Sequence, residues 1–345
     1  MTNRYVSVFS GAGGLDHGLA QAGYKPGTVS DESRSACDTL RAALPAACVL
    51  PGDVHDLLNS GAFATAAAGG AALVAGQPPL VGKVEGEAPV DPDGDTPQLL
   101  YRFMDVTAQV KPTAFIMAAM PFLNSSRWGA VLGRLRRRAR ELGYDTYTPV
   151  IDAAEYGVPQ HRYRLFLIGM PKGCKPAAAA VPRGGKLSSG AAIRAIPPGT
   201  RDIPCPSGVR LAERPVVRNS PYSGQLLAGP GRMLDLRRVS PLLSASLGGN
   251  KTPVIDVTQL ESDAVPRIEG YHDYLWRLDG QPDRYGEDIT RYMRRLSLRE
   301  CAALQGFPPD YPLRGSAVAQ FKIVGAAVPP ALGRAVGRAV AEGLR

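Results

Sequence analysis

The 345-residue sequence predicts an α/β protein, a doubly wound sheet with a smaller, irregular domain inserted before the C-terminus. Three observations carry that reading. Short apolar β-type runs alternate with helically spaced segments through the first half. A glycine-rich turn joins the first strand to the first helix. From about Gly173 Pro, Gly and Ser become dense, and helical spacing resumes only at Arg294.

In chain order, Tyr5–Phe9 is an apolar run ending in the turn Ser10–Gly14, and Leu15–Ala22 follows with helical spacing. Lys25–Ser30 reads as the second strand and Ser33–Leu44 as the helix after it. Ala72–Ala75 is a buried strand closed by Gly76-Gln77-Pro78-Pro79. Leu99–Val110 is helical, Ala114–Met117 is a strand, Trp128–Leu142 is a basic amphipathic helix, and Leu165–Ile168 is a strand. Such alternation puts ligand sites at the C-terminal ends of the strands. It assigns residues 1–172 to the sheet domain, 173–292 to the insert and 293–345 to a return to the first domain.

Composition sets outer bounds. An apolar content of 44% is enough for a core, which excludes global disorder. The net charge of +9 suits a polyanionic partner and equally a plain basic surface. The opening residues lack the basic-then-apolar layout of a signal peptide. No apolar run reaches about 18 residues, so no membrane span is expected. Five cysteines, Cys37, Cys48, Cys174, Cys205 and Cys301, lie scattered with no CxxC spacing, so neither a zinc site nor a disulfide framework is expected. The expected compartment is the cytoplasm.

The turn Phe9-Ser10-Gly11-Ala12-Gly13-Gly14 lies where backbone N–H groups can approach a ligand. Asp31 follows the second strand, where a carboxylate can take ribose hydroxyls. Asp53, in Gly52-Asp53-Val54, can accept from an adenine amino group. Alone, each acid reads as a helix cap or a surface residue; with the turn, the set points to an adenosyl ligand.

FSGAGGLDHGLAQAGY (Phe9–Tyr24) resembles the opening motif of the cytosine-5 DNA methyltransferase family. Gln160-His161-Arg162-Tyr163-Arg164 is similar to its Gln-x-Arg-x-Arg element, and LSLRECAALQGF (Leu296–Phe307) to its late helical motif. Gly325–Pro330 resembles its final Gly-Asn-Ala-Val-Pro-Pro motif. Ser220–Pro253 looks like a bacterial target-recognition segment. The resemblance implies the S-adenosylmethionine-dependent methyltransferase fold, with S-adenosylmethionine or S-adenosylhomocysteine as ligand. By position it implies cofactor contacts at Phe9 through Leu15, at Asp31, Glu32, Asp53, Val54 and Gly76, and at Ala327 and Val328.

The departures from the family fall where its chemistry lies. The nucleophile's motif is Pro-Cys-Gln, and here Gly76-Gln77-Pro78-Pro79-Leu80 puts Pro79 or Leu80 at the cysteine. The Glu-Asn-Val triplet is Ala118-Ala119-Met120, and the final asparagine is Ala326. Gln77, Pro78, Ala118, Arg162 and Arg164 would line the emptied pocket, or the two arginines would serve as structural ion-pair partners. Cys205, in a proline-flanked loop, is the remaining thiol candidate and reads equally as a small packed side chain. The loop Gly82–Asp95 has one lysine against five acids, a poor partner for phosphates or simply a solvated loop. Arg201–Lys251 has eight basic residues against three acids. Within it Arg232, Arg237, Arg238, Asn250 and Lys251 are the candidate DNA contacts. Arg134 through Arg140 form either a solvated face or a phosphate track.

Three functions fit this pattern. The first is a pseudo-methyltransferase that binds cofactor and acts as a binding protein for duplex DNA or for a partner. The second is an enzyme with altered S-adenosylmethionine chemistry on another substrate. The third is an inactive subunit partnering an active methyltransferase.

Overall fold

The computed structural model describes residues 3–79, 97–178, 186–261, 265–278, 285 and 288–345. Its first half alternates as β1 (Arg4–Val8), α1 (Gly14–Gln21), β2 (Lys25–Asp31), α2 (Arg34–Ala43), β3 (Cys48–Pro51), α3 (Val54–Asn59), α4 (Ala62–Ala66), β4 (Leu73–Gly76), α5 (Gln98–Val110) and β5 (Ala114–Ala119). These five strands pair in parallel in the order β3-β2-β1-β4-β5. After α6 (Gly129–Glu141), β6 (Tyr144–Tyr147) and β7 (Val150–Asp152) both pair antiparallel with the long β8 (Tyr163–Pro171), which adds to β5. Antiparallel neighbours need only short connections, so no α-helix intervenes among β6, β7 and β8.

The alternation of β1 shows how the sheet is clothed. Val6 and Val8 face a core built with Phe63, Phe103, Phe115 and Leu135, from α4, α5, β5 and α6. Tyr5 faces the opposite core, with Leu19, Val29, Leu40, Phe166 and Val336. Because both faces are covered, β4 and β5 are buried throughout and read as continuous apolar runs. The short edge strand β3 and its proline end gave no such run.

Beyond β8 come α7 (Ser189–Arg194), β9 (Leu211–Val216), β10 (Gln225–Leu227), β11 (Val254–Asp256), α8 (Thr258–Glu261), α9 (Arg267–Arg277) and β12 (Met293–Arg295). β9 pairs with β10 and β11 with β12, both antiparallel. The segment is less irregular than expected. α9 buries Ile268, Tyr271, His272 and Leu275, one helical stripe. α7 has six residues, too few to show a period, and is held by the Ser188 side chain accepting from Ala191 N–H.

The chain ends in α10 (Leu298–Leu304), α11 (Ala317–Ala326) and α12 (Pro330–Gly343). A capping box between Ser297 and Glu300 starts α10. α12 lies on α1 with backbone against backbone. A Cβ on Gly18 would sit 2.2 Å from the Pro330 carbonyl oxygen, and one on Gly333 would sit 2.6 Å from that of Leu15. Among the described residues no helix is long and apolar enough to cross a membrane.

Candidate cofactor and substrate site

The strand order reverses between β1 and β4, whose ends Val8 and Gly76 are paired. Ligands of such sheets sit outside the strand ends at that switch point. There the chain turns through Phe9, a non-glycine residue at φ 55, and through Gly11 and Gly13, at φ 55 and 76. A phenylalanine in the left-handed region is strained backbone of the kind that gathers at functional turns. Ser10 N–H bonds to Ser30 O at 3.2 Å and Gly13 N–H to Ser10 O at 2.8 Å. A Cβ on Gly11 would meet nothing within 4 Å, so the space beside it is open. Gly14 differs: a Cβ there would lie 2.1 Å from Val328 O, so its role is close packing.

The acids converge on the same turn. Asp31 accepts from Gly11 N–H and Ser33 N–H, each at 2.8 Å. Burial raises its pKa and these two donors pull it back. Gly52 N–H bonds to Asp31 O at 3.1 Å, which sets Asp53 alongside. Asp53 caps α3, accepting from His55 N–H at 2.8 Å, and Val54 packs in the core. Glu32 is exposed. Gln77 donates to Ala326 O at 2.9 Å, bringing the end of β4 to the C-terminal segment, where Ala327 and Val328 are buried.

One residue of this region was missed by sequence reasoning. Asp16 is fully buried on α1, and neither carboxylate oxygen has a hydrogen bond of ordinary geometry. Burial pushes its carboxyl up to about 6, although the Ser7 and Tyr5 hydroxyls lie close enough to oppose this in part. The available signal was an acid in the apolar stripe of Leu15 and Leu19.

At the other side of the crevice, Ala118 stands opposite Phe166 and Ala119 opposite Leu165 in the β5–β8 register. Arg164 comes next on β8 and reaches Met120, with Nη1 3.2 Å from its Sδ and 3.4 Å from Tyr163 O. Its Nε is buried without a partner, and burial pushes the guanidinium down to about 10. Arg162 is committed differently. It donates to Leu243 O at 3.0 Å, Gly325 O at 2.7 Å and Gln160 Oε1 at 3.4 Å. It therefore ties the insert to the C-terminal segment rather than facing an open pocket. Burial, with Arg164 nearby, lowers its pKa further. Among the described residues neither arginine has a carboxylate partner, so the expected alternative of structural ion pairs is absent.

The C-5 cytosine-specific DNA methylase family model matches residues 3–188 and 256–342. The chain belongs to that family. It is 26% identical over 361 residues to the Type II methyltransferase M1.HphI of Haemophilus parahaemolyticus, covering 99% of this chain and 87% of that protein. It is 25% identical over 438 residues to M.AgeI of Thalassovita gelatinovora, covering 97% and 98%. Its fold is shared with a putative DNA modification methyltransferase from an E. coli prophage, at TM-score 0.68, 17% identity and 99% coverage of both chains. It is shared likewise with Dnmt2 of S. pombe, at TM-score 0.65, 13% identity and 99% and 98% coverage.

Cytosine-5 methylases use S-adenosylmethionine, and the residues of the crevice fit it. The open space beside Gly11 admits a ligand, and Asp31 keeps lone pairs for hydroxyl donors beyond its two backbone bonds. When bound, the cofactor supplies an electrophilic methyl group.

The family match leaves out 189–255, where the DNA candidates lie. Arg237 is not a free cation as its sequence position implied. It pairs with Asp235 at 2.9 Å and with Glu269. Counting charges along the chain could not reveal Glu269, which arrives from α9. Arg238 holds Asp235 only at 3.4 Å, with its side chain 82% exposed. Arg232, Asn250 and Lys251 are exposed. On the basic helix α6, Arg138 pairs with Glu141 and Arg136 donates to Thr148. Cys205 packs at the edge of the Leu247–Leu298 core with its thiol 3.8 Å from Gly249 O, and Cys301 is fully buried.

Proposed function

We propose that this cytosine-5 methylase family member is a pseudo-methyltransferase: it binds S-adenosylmethionine or S-adenosylhomocysteine and duplex DNA but does not methylate cytosine. The observation that carries the reading is the pair of residues at the ends of β4 and β5. The positions that the resemblance gives to the nucleophile and the acid hold Pro79 and Ala118. In the alternative register the first is Leu80, which lies outside the described residues, as does the acidic loop Gly82–Asp95. Cytosine C5 is a poor nucleophile until a thiolate adds to C6, and an acid at N3 eases that addition. Proline, leucine and alanine can do neither.

The cofactor half supports binding without chemistry. The bonds of Asp31 to Gly11 and to Gly52, which precedes Asp53, and the packing of Val328 on Gly14 support a cofactor set of Phe9–Leu15, Asp31, Asp53, Gly76, Ala327 and Val328. Ala326 removes the family's asparagine, so affinity is expected to be reduced rather than lost. For DNA the reading relies on the exposed Arg232, Arg238, Asn250 and Lys251. The test is calorimetric titration with both cofactors, followed by bisulfite sequencing of mixed DNA after long incubation with fresh S-adenosylmethionine. Saturable binding with no 5-methylcytosine supports the proposal. No binding at millimolar cofactor, or clear 5-methylcytosine from the unmodified protein, overturns it.

A further inference from the structure

Arg164 is a buried cation with no acid beside it among the described residues. It is only 3% exposed, at the head of β8, on the edge of the sheet where the glycine-rich turn and Gln77-Pro78 also lie. Its contacts all fall on Nη1: a methionine sulfur, which is a weak acceptor, and the Tyr163 carbonyl at the limit of hydrogen-bonding distance. Nε is sealed from solvent with no acceptor. The Nε–Nη2 edge of the guanidinium, the edge that grips planar oxyanions two bonds at a time, has no hydrogen bond among the described residues.

The surroundings deepen the imbalance. Arg162 is equally buried, close enough to repel Arg164, and spends its donors on neutral carbonyls. On the same face of β5 are Ala118 and Met120, where a carboxylate could have stood and none does. Buried charges persist when paired, and here the described residues supply no pair. Met120 is half-buried and Tyr163 exposed, so the route from solvent to the guanidinium is short.

We propose that the free edge of Arg164, beside Ala118 and Met120, is a binding site for a small carboxylate-bearing ligand. The ligand's two oxygens take Nε and Nη2, and its one negative charge offsets the buried cation. A neutral heterocycle in the same space leaves that charge uncompensated. The proposal is independent of DNA binding and of the absence of cytosine methylation; it needs only the fold.

The test is thermal unfolding of the full chain in formate or acetate against chloride, at neutral pH and matched ionic strength. A site of this kind is expected to raise Tm by about 2 °C at tenfold saturation. Met120→Glu puts a carboxylate where the sulfur now lies, 3.2 Å from Nη1. That variant is expected to lose the response. Arg164→Met is expected to lose it too, and should that variant not fold, Met120→Glu still decides. No rise over chloride in the unmodified protein overturns the site. An equal rise in Met120→Glu overturns it as well. A response to inorganic phosphate without one to formate or acetate overturns the carboxylate assignment.

Discussion

The Tyr311 hydroxyl donates to the Ala12 carbonyl at 2.6 Å, across 299 positions of sequence. The bond fastens the glycine-rich turn to the C-terminal segment. Tyr311 also packs on Phe307, at 4.7 Å between ring centroids, and edge-on to His17, at 5.6 Å. Tyr311→Phe keeps the ring and removes the donor, leaving a buried carbonyl unsatisfied. The expected cost is about 1–3 kcal/mol of stability by urea denaturation. Because the turn loses its anchor, calorimetry is expected to show S-adenosylmethionine binding weakened by roughly tenfold, the loss worth about 1.4 kcal/mol. Unchanged affinity alongside reduced stability would confine the tyrosine to a purely structural role.

Asp16 predicts how stability depends on pH. Its carboxyl is shifted from 3.8 unfolded to about 6 folded, chiefly by burial. Between those values the folded chain binds more protons than the unfolded one. The stabilising contribution is therefore complete below the lower value and is lost as pH rises through the upper one. At neutral pH the penalty is about 3 kcal/mol. Asp16→Asn is expected to gain up to that amount above pH ~6 and little below pH ~4. Paired urea titrations at acid and neutral pH check it; an equal gain at both would reject the titration of Asp16 as the cause.

The sequence displayed the sheet well because β4 and β5, covered on both faces, are written as unbroken apolar runs. It displayed the glycine-rich turn because the positive φ of Gly11 and Gly13 favours glycine there. It hid β3, whose four edge residues carry no pattern, and it hid α9 inside a segment whose prolines and glycines drew attention away from the Ile268–Leu275 stripe. It also hid pairing. Arg237 reads by sequence as a candidate DNA contact, while the fold pairs it with Glu269, and it is the fold that buries Asp16. Residue types are local information; partners separated by tens of residues are not.

The DNA surface is expected to respond at Arg238 and Lys251, not at Arg237. Both side chains are exposed, and among the described residues only Arg238 has a partner acid, Asp235, which holds it loosely. Reversing both, Arg238→Glu with Lys251→Glu, is expected to leave unfolding unchanged and weaken duplex binding. Losing two phosphate contacts should flatten the slope of log K against log salt by about 2. Arg237→Glu, which sets a third acid against Asp235 and Glu269, is instead expected to destabilise the insert. Fluorescence anisotropy across a salt series checks the slopes. Equal binding by the double variant and the unmodified chain would remove this face from the DNA site.

Restoring one catalytic group is not expected to restore methylation. Groups that act as a unit fail together, so a thiol without its acid gains little. Pro79→Cys, or Leu80→Cys in the alternative register, is expected to give no 5-methylcytosine above background. Ala118→Glu adds the missing acid in a favourable place. Ala118 and Arg164 lie on the same face of the β5–β8 pair, by way of Phe166 opposite Ala118, so the new carboxylate gains a cationic neighbour. General acid assistance is worth about 10²–10⁴-fold, enough to lift a cysteine variant from undetectable to trace activity. The double variant, Pro79→Cys with Ala118→Glu, is therefore expected to give traces. The five acids of Gly82–Asp95 oppose the approach of the DNA backbone and limit the recovery. Bisulfite sequencing after long incubation, beside an active family member, reads all three proteins. Full activity from the single cysteine variant would mean that another group already assists at N3, and would return the chain to the enzymes.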